Sequence, residues 1–231
     1  MIINCFIFAR GGSKGLPRKN IKELCGEPLI AYSIKLAIKS DFFQNIFVST
    51  DDSEIEKVSK QYGAKVIKRP GYLSTDNSPE IDSWKHAIDY VERNYGNFDE
   101  FVSLPATSPL RNKEDIHNAI LKRRQDSADI CISITESGRS PYFNMVEIDN
   151  EGKLGLVIPS GANYTRRQDC PKVYDITTSV YSSTTDYIKK TKALLDGKIS
   201  YIKIPKERAI DIDDIYDFCF AEAILEMTNK K

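Results

Sequence analysis

The sequence predicts an α/β fold: a three-layer sandwich on a mostly parallel sheet, in a single domain spanning 1–231 with a small protruding lobe at about 137–178. Two observations carry this reading. Up to about residue 135, short β-rich apolar runs alternate with stretches whose apolar residues recur at helical spacing. From about Glu136 to Asp175 that rhythm gives way to a polar, irregular segment, after which strand and helix patterns return. The composition agrees: 231 residues, 41% hydrophobic and 29% charged, suffice for one large core and are unlike a disordered, collagenous or coiled-coil chain.

Each element follows in order. IINCFIFA (2–9) reads as a strand leading into the glycine-rich turn RGGSKG. PLIAYSIKLAIKS (28–40) sets Leu29, Ile30, Ser33, Ile34, Ala37 and Ile38 at helical spacing. NIFVST (45–50) is a strand, SEIEKVSKQY a helix closed by Gly63, and AKVIKR (64–69) a strand. IDSWKHAIDYVERNY is a helix with Ile81, Trp84, Ala87, Ile88 and Val91 on one face, ended by Gly96. EFVSLPA (100–106) is a strand, KEDIHNAILKRRQDS (113–127) a helix and DICISIT (129–135) a strand. In the lobe, SPYFNMVEIDNEGKLGLVIP (140–159) has the pattern of a hairpin turning at NEG. TTSVYSS (177–183) is a strand, TTDYIKKTKALL (184–195) a helix and ISYIKIP (199–205) a strand. AIDIDDIYDFCFAEAILEM (209–227) reads as a strand end running into a terminal helix.

Lys plus Arg (33) balance Asp plus Glu (33), so bulk electrostatics point to neither nucleic acid nor an anionic membrane as partner. Five dispersed cysteines without a C-x-x-C argue for a reducing compartment, and the expected location is cytoplasmic. No apolar run approaches the length of a membrane span. His86 and His117 lack metal-ligand spacing. Asn163 matches the glycosylation sequon, and with no secretion signal read in the sequence a chance match is expected.

The densest chemistry lies at 8–20, FARGGSKGLPRKN. A strand ends at Ala9; Gly11 and Gly12 follow, with Arg10, Lys14, Arg18 and Lys19 around them. Glycines let backbone N–H groups approach an anion, and cations at this density repel one another unless they neutralise something, which suits a triphosphate. A solvated basic turn is the competing reading. Neither G-x-x-x-x-G-K-[ST] nor G-x-G-x-x-G is present.

Further along, Asp211 and Asp213 alternate with Ile210 and Ile212, so an extended backbone turns both carboxylates away from an apolar layer. That suits Mg²⁺ or Mn²⁺; alternatively Asp213 or Asp214 caps the following helix. SLPATSPLRNKEDI (103–116), with Thr107, Ser108 and Arg111, fits a substrate wall or a rigid connection capped by Asn112. Arg166 and Arg167 suit a substrate carboxylate or a surface ion pair. KRPGYLSTDNSPEID (68–82) is a polar loop carrying Arg69 and Asp76. Tyr142, Phe143, Met145 and Val146 fall in a segment with little core of its own, which predicts a homodimer joined through the lobe.

Taken in order, ARGGSKGLPRKNIK, STDDSEI, KRPGYLSTDNS, ATSPLR, RRQDCPKVY and AIDIDDIYDFCFAE resemble the CMP-sialic acid synthetase family, the acylneuraminate cytidylyltransferases, over nearly the whole chain. The resemblance implies a nucleotide-diphospho-sugar transferase-like fold and a CTP:sugar-acid cytidylyltransferase serving surface polysaccharide biosynthesis. The anomeric 2-hydroxyl of a nonulosonic acid attacks the α-phosphate of CTP and pyrophosphate leaves. It also implies Mg²⁺ and a homodimer whose lobe reaches into the partner's site. Arg10, Ser13, Lys14, Lys19 and Asn20 match positions that hold triphosphate and ribose, with Gly11 and Gly12 between them; Arg69 and Ser78 match the cytosine pocket. Asp211 and Asp213 match the metal aspartates, and Arg167 an arginine near the sugar, with Thr107 on the sugar side. Arg10, Lys14, Lys19 and Asp213 are the expected catalytic groups, because this chemistry asks for charge neutralisation and alignment of phosphates rather than covalent work.

Three positions depart from the family pattern. Pro105 stands where a sugar-contacting glutamine is usual, Thr177–Tyr181 reads TTSVY for NGAIY, and Glu80 replaces a serine. These departures imply the same reaction on another nonulosonic acid or on an octulosonic acid. A same-fold enzyme acting on a sugar 1-phosphate is the rival, and it needs a second cationic site. A binding module without catalysis is disfavoured by the intact Asp211 and Asp213.

Overall fold

The computed structural model describes residues 1–159 and 164–229; Asn163 of the sequon lies outside them. The chain opens with β1 (Ile3–Phe8) and, after the glycine-rich loop and a 3-10 turn at Lys19–Ile21, forms a short ladder of β2 (Glu23–Leu24) and β3 (Glu27–Pro28). Then come α1 (Leu29–Ser40), β4 (Asn45–Thr50), α2 (Ser53–Gln61), β5 (Lys65–Lys68), α3 (Glu80–Tyr95), β6 (Glu100–Ser103), α4 (Lys113–Gln125) and β7 (Ile130–Glu136). The lobe holds β8 (Val146–Ile148) and β9 (Leu154–Leu156); β10 (Tyr174–Thr184), α5 (Thr185–Lys190), β11 (Ile199–Lys203) and α6 (Ile215–Asn229) complete the chain. The central sheet has seven strands in the order β11-β7-β10-β6-β1-β4-β5. Every neighbouring pair is parallel except those made by β10, which runs antiparallel to both β6 and β7.

The pleat sorts the side chains into two cores. From β1, Cys5 and Ile7 join Val48, Val102 and Leu104 beneath α1 and α4, contributed by Ile30, Ile34, Ile116 and Ile120. Phe6 points the other way and packs with Phe47 and Phe101 against Trp84, Ile88 and Val91 of α3 and Ile188 of α5. Helices therefore cover both faces, as a parallel sheet requires. A third cluster, with Leu16, Leu24, Leu29, Leu110, Ile212 and Phe218, clamps the glycine-rich loop against α6.

Local chemistry sets the ends of the helices. The Asp52 carboxylate accepts the Glu54 and Ile55 N–H groups at 2.9 Å and caps α2, which Gly63 closes at φ 90°. Asn112 and Asp115 form a reciprocal capping box on α4, so this residue pair is structural. Arg111 is buried, its pKa is pushed down to about 10 by desolvation, and its Nη2 donates to the Pro105 carbonyl, while its Nε and Nη1 find no partner among the described residues.

The structure departs from sequence expectation at four places. β6 stops at Ser103, because Pro105 has no N–H to continue the ladder. α5 is one short helix; beyond Lys190 the Thr191 hydroxyl donates to Ala193 O at 2.6 Å and the Asp196 carboxylate accepts Ala193 N at 3.0 Å, folding the chain around Tyr187. Residues 209–213 form no strand; they cross the end of β6 with a single backbone bond, Ile212 N to Thr107 O at 2.9 Å. Finally, β10 begins at Tyr174, so the last residues of the stretch assigned to the lobe pair with β7. The NEG hairpin forms as read, with Gly152 at φ 80°.

Candidate active site

Strands β1, β4, β5 and β6 deliver their carboxyl ends to one edge, and the chemistry collects there, as expected for an open α/β sheet. A cleft of about 420 Å³ is lined by Phe8, Arg10, Ser13, Lys14, Gly15, Lys19, Asn20, Thr107 and Asp213. A second compartment of about 270 Å³ is lined by Arg69, Thr75, Asp76, Ser78, Glu80 and Ser83 and shares Phe8 and Arg10 with the first.

The loop of the larger compartment is built by close approach. A Cβ on Gly11 would meet Asp52 Oδ2 at 2.6 Å, and one on Gly15 would collide with the Asp213 carbonyl; Gly12 faces open space. Asn20, buried, donates to the Arg10 carbonyl at 3.0 Å. Arg18 does not face the cleft. Its guanidinium binds Asp52 and Glu54 at the start of α2, which fastens the loop to its neighbour. Three of the four cations read from the sequence therefore remain for an anion: Arg10, Lys14 and Lys19.

These three are held by the protein's own anions. Asp76 bridges Arg10 Nη2 at 2.8 Å and Lys14 Nζ at 2.5 Å, and the two cations hold its pKa below the usual carboxylate range. Lys19 Nζ donates to the Ile212 carbonyl and sits 3.0 Å from Asp213 Oδ1. In the smaller compartment, Arg69 is buried while its Nε and Nη2 have no hydrogen-bond partner among the described residues. Burial pushes its pKa down, and Asp51 opposes this. Ser78 Oγ donates to the Tyr72 carbonyl at 2.6 Å and pairs with Thr75.

On the acidic side, Ile210 and Ile212 are buried, as the alternation predicts. Asp214, not Asp213, caps α6: its Oδ1 accepts Tyr216 N at 2.8 Å and Asp217 N at 3.1 Å, and Asp217 accepts the N–H groups of Asp213 and Asp214 in return. Asp213 is thus left to the cleft. Asp211 is sunk deeper, and its Oδ1 is buried without a partner among the described residues. Burial raises its pKa and the nearby Asp213 charge adds to this, while hydroxyls of Thr107 and Thr178 oppose both. Thr178 reaches this point because β10 slips register between Thr177 and Tyr181, a bulge pinned by Ser133 Oγ accepting Val180 N at 3.0 Å.

Arg167 is not brought to this cleft. Its Nη1 donates to the carbonyls of Ser137 and Gly138 at 3.1 and 2.8 Å, beside a separate cavity of about 490 Å³ with Lys172, Lys203 and Lys206. Arg166 pairs with Asp169 at 2.9 Å. Sequence reasoning left Phe8 without a role, and it met Glu80 and Thr178 only as departures from the family pattern that bear on the acceptor. Phe8 was findable from strand alternation, since it follows Ile7 on the opposite face; Thr178 was not, because a bulge changes the alternation.

A family model described as Cytidylyltransferase matches residues 4–227. The CMP-N,N'-diacetyllegionaminic acid synthase of Campylobacter jejuni is 34% identical over 98% of this chain and 96% of its own length. A pseudaminic acid cytidylyltransferase of the same species is 32% identical over 98% and 97%. The fold matches a CMP:2-keto-3-deoxy-manno-octonic acid synthetase complexed with CTP, with a TM-score of 0.72 over all of both chains at 16% identity. With its sheet, its cation-lined loop and both of its compartments placed along one strand edge, the chain belongs to the cytidylyltransferase family.

Proposed function

We propose that the protein transfers the cytidylyl group of CTP to the 2-hydroxyl of a nonulosonic acid, giving the CMP-sugar and pyrophosphate. The observation that carries this reading is the continuity of the two compartments through Phe8 and Arg10: one is cationic and sized for phosphates, the other polar and closed by Arg69. The relatives whose names specify legionaminic and pseudaminic acids support the acceptor class.

In the reaction the acceptor oxygen bonds to the α-phosphorus, the bond to the β-phosphate oxygen breaks, and the hydroxyl proton is lost. Arg10 and Lys14 exchange Asp76 for phosphate oxygens, and Lys19, fixed by Ile212 O and Asp213, presents one charge at the same cleft. Such preorganised charge stabilises the leaving pyrophosphate.

Mg²⁺ or Mn²⁺ fits the acidic side. Among the described residues no group of three or more His, Cys, Asp or Glu converges. Mg²⁺ needs only one or two carboxylates plus substrate phosphates, and the unpartnered Oδ1 of Asp211 beside Asp213 offers them. Bound there, the ion supplies charge neutralisation on the phosphates. Arg167 and Thr107 are proposed for the acceptor side. The homodimer is proposed through the lobe, where Val146, Ile148 and Leu154 are 53%, 71% and 63% exposed.

Pyrophosphate release from CTP, measured against nonulosonic acids, octulosonic acids and sugar 1-phosphates, tests the reading. Release with a nonulosonic acid, abolished by excess EDTA, is the expected result. Release with sugar 1-phosphates alone overturns the acceptor class, and full activity in EDTA overturns the metal.

A further inference from the structure

Asp76 differs from the carboxylates that brace the fold. Asp52, Asp115 and Asp214 each accept backbone N–H groups at the start of a helix. Among the described residues the Asp76 carboxylate has other partners: Arg10 Nη2 at 2.8 Å and Lys14 Nζ at 2.5 Å, two cations of the larger compartment. Its side chain is 41% exposed and that of Lys14 78%, so packing locks neither.

Asp76 sits on the loop between the 3-10 turn at Gly71–Leu73 and α3. The base of this loop is fastened, because Leu73 is buried and Ser78 Oγ donates to Tyr72 O at 2.6 Å, while Thr75, Asp76 and Asn77 stay exposed. Ser74 O accepts Arg10 Nη1 at 3.3 Å, which gives Arg10 a second tie to the same loop. Arg10 lines both compartments, so the bridge from Asp76 crosses where they join. A nucleotide with its base in one compartment and its phosphates in the other must take Arg10 from Asp76.

A carboxylate and a phosphate compete for the same N–H donors. Ion pairs this exposed are weak, so the exchange costs little. Pairs formed before substrate arrives still lower the apparent affinity for any polyphosphate, because only molecules whose cations are free can bind it. A tethered carboxylate also keeps a high effective concentration, ready to retake both cations.

We propose that Asp76 is a positioning residue that acts as an internal counter-anion: it holds Arg10 and Lys14 until substrate arrives, yields them to the triphosphate, and takes them back as pyrophosphate leaves. Asp76 thereby sets how tightly the cleft grips polyphosphate. This inference rests on the reading of the cleft as the triphosphate site of CTP.

The test is calorimetric titration of the full chain with inorganic tripolyphosphate and with pyrophosphate, for wild type, Asp76→Asn, Asp76→Ser and Asp76→Glu, with melting temperatures as the check on folding. Asp76→Asn and Asp76→Ser remove the competing charge and should bind both polyphosphates about threefold or more tightly than wild type. KM for CTP should fall in the same ratio without a rise in kcat. Asp76→Glu keeps the charge and should lie closer to wild type than Asp76→Asn does. A merely structural role predicts looser binding, because removing a brace frees the cations. Folded Asn and Ser variants that bind polyphosphate as wild type does, or more weakly, overturn the role of Asp76. If they do so while wild type still releases pyrophosphate from CTP, only this inference falls. A wild type that binds neither polyphosphate nor CTP sinks the substrate reading and this inference together.

Discussion

Lys19 is fixed at its tip by two partners, the Ile212 carbonyl and Asp213, and its side chain is only 12% exposed. A cation so fixed costs little to organise when charge develops on a phosphate, so Lys19→Ala should lower kcat/KM by roughly a hundredfold or more. Steady-state kinetics on folded protein check this, and a loss below about threefold removes Lys19 from the mechanism. The neighbouring aspartates separate cleanly. Asp214→Ala deletes the cap of α6 and should cost about 1 kcal/mol of stability with turnover per folded molecule near normal. Asp213→Asn keeps shape and leaves that cap in place, so it should spare the melting temperature and remove most turnover. Paired thermal melts and kinetics decide; the reverse pattern makes Asp213 structural. The sequence left Asp213 and Asp214 open as the cap. What settled it was the reciprocal bonding of Asp214 and Asp217, three residues apart, a capping pattern present in the sequence but masked by four closely spaced aspartates.

The elements that carry the site are tied to one another by charge. Asp52 ends the connection after β4, caps α2, and holds Arg18 of the glycine-rich loop at 2.6 Å. Its pKa is lowered, first by the Arg18 hydrogen bond and further by the capped N–H groups of Ile55 and Glu54. A carboxylate with a depressed folded value contributes stability above its unfolded value, about 3.9, and loses it as pH falls through the folded value. Asp52→Asn retains a cap but not the charge; with Arg18 largely solvated, it should cost up to about 0.5 kcal/mol at pH 7. Denaturant unfolding at pH 7 and at pH 3 or below should show the gap closing in acid; a gap that stays constant assigns the effect to shape rather than charge. At this scale most strands and helices were legible, because period-2 and period-3.6 patterns persist where a face is buried. The misses have local causes: Pro105 ending β6, the Tyr187-centred turn ending α5, and the bulge in β10 that aims Thr178 at Asp211.

For the molecule as a whole, the two cores and the clamp around the glycine-rich loop leave one end of the sheet open as a cleft, while the lobe carries apolar side chains outward. Val146, Ile148 and Leu154 on the β8–β9 hairpin, and Ile158 just beyond it, are exposed in the single chain. A surface of this kind is expected to be covered by a partner. Light scattering at micromolar concentration should give twice the chain mass, and Ile148→Asp with Leu154→Asp should return it to one; a wild-type monomer overturns the homodimer. The cationic loop that lines the larger compartment was legible in the sequence because its cations and glycines are contiguous at 10–20, whereas Arg69, Glu80 and Asp211 meet only through the sheet topology. Arg167 lies apart from that cleft in the single chain. The central claim is cytidylyl transfer to a sugar acid, and mass spectrometry of the product from CTP and a nonulosonic acid tests it most directly. The account predicts a CMP-sugar acid formed in equal amount with pyrophosphate; conversion of CTP to CDP and phosphate, or to CMP with no acid attached, would contradict it.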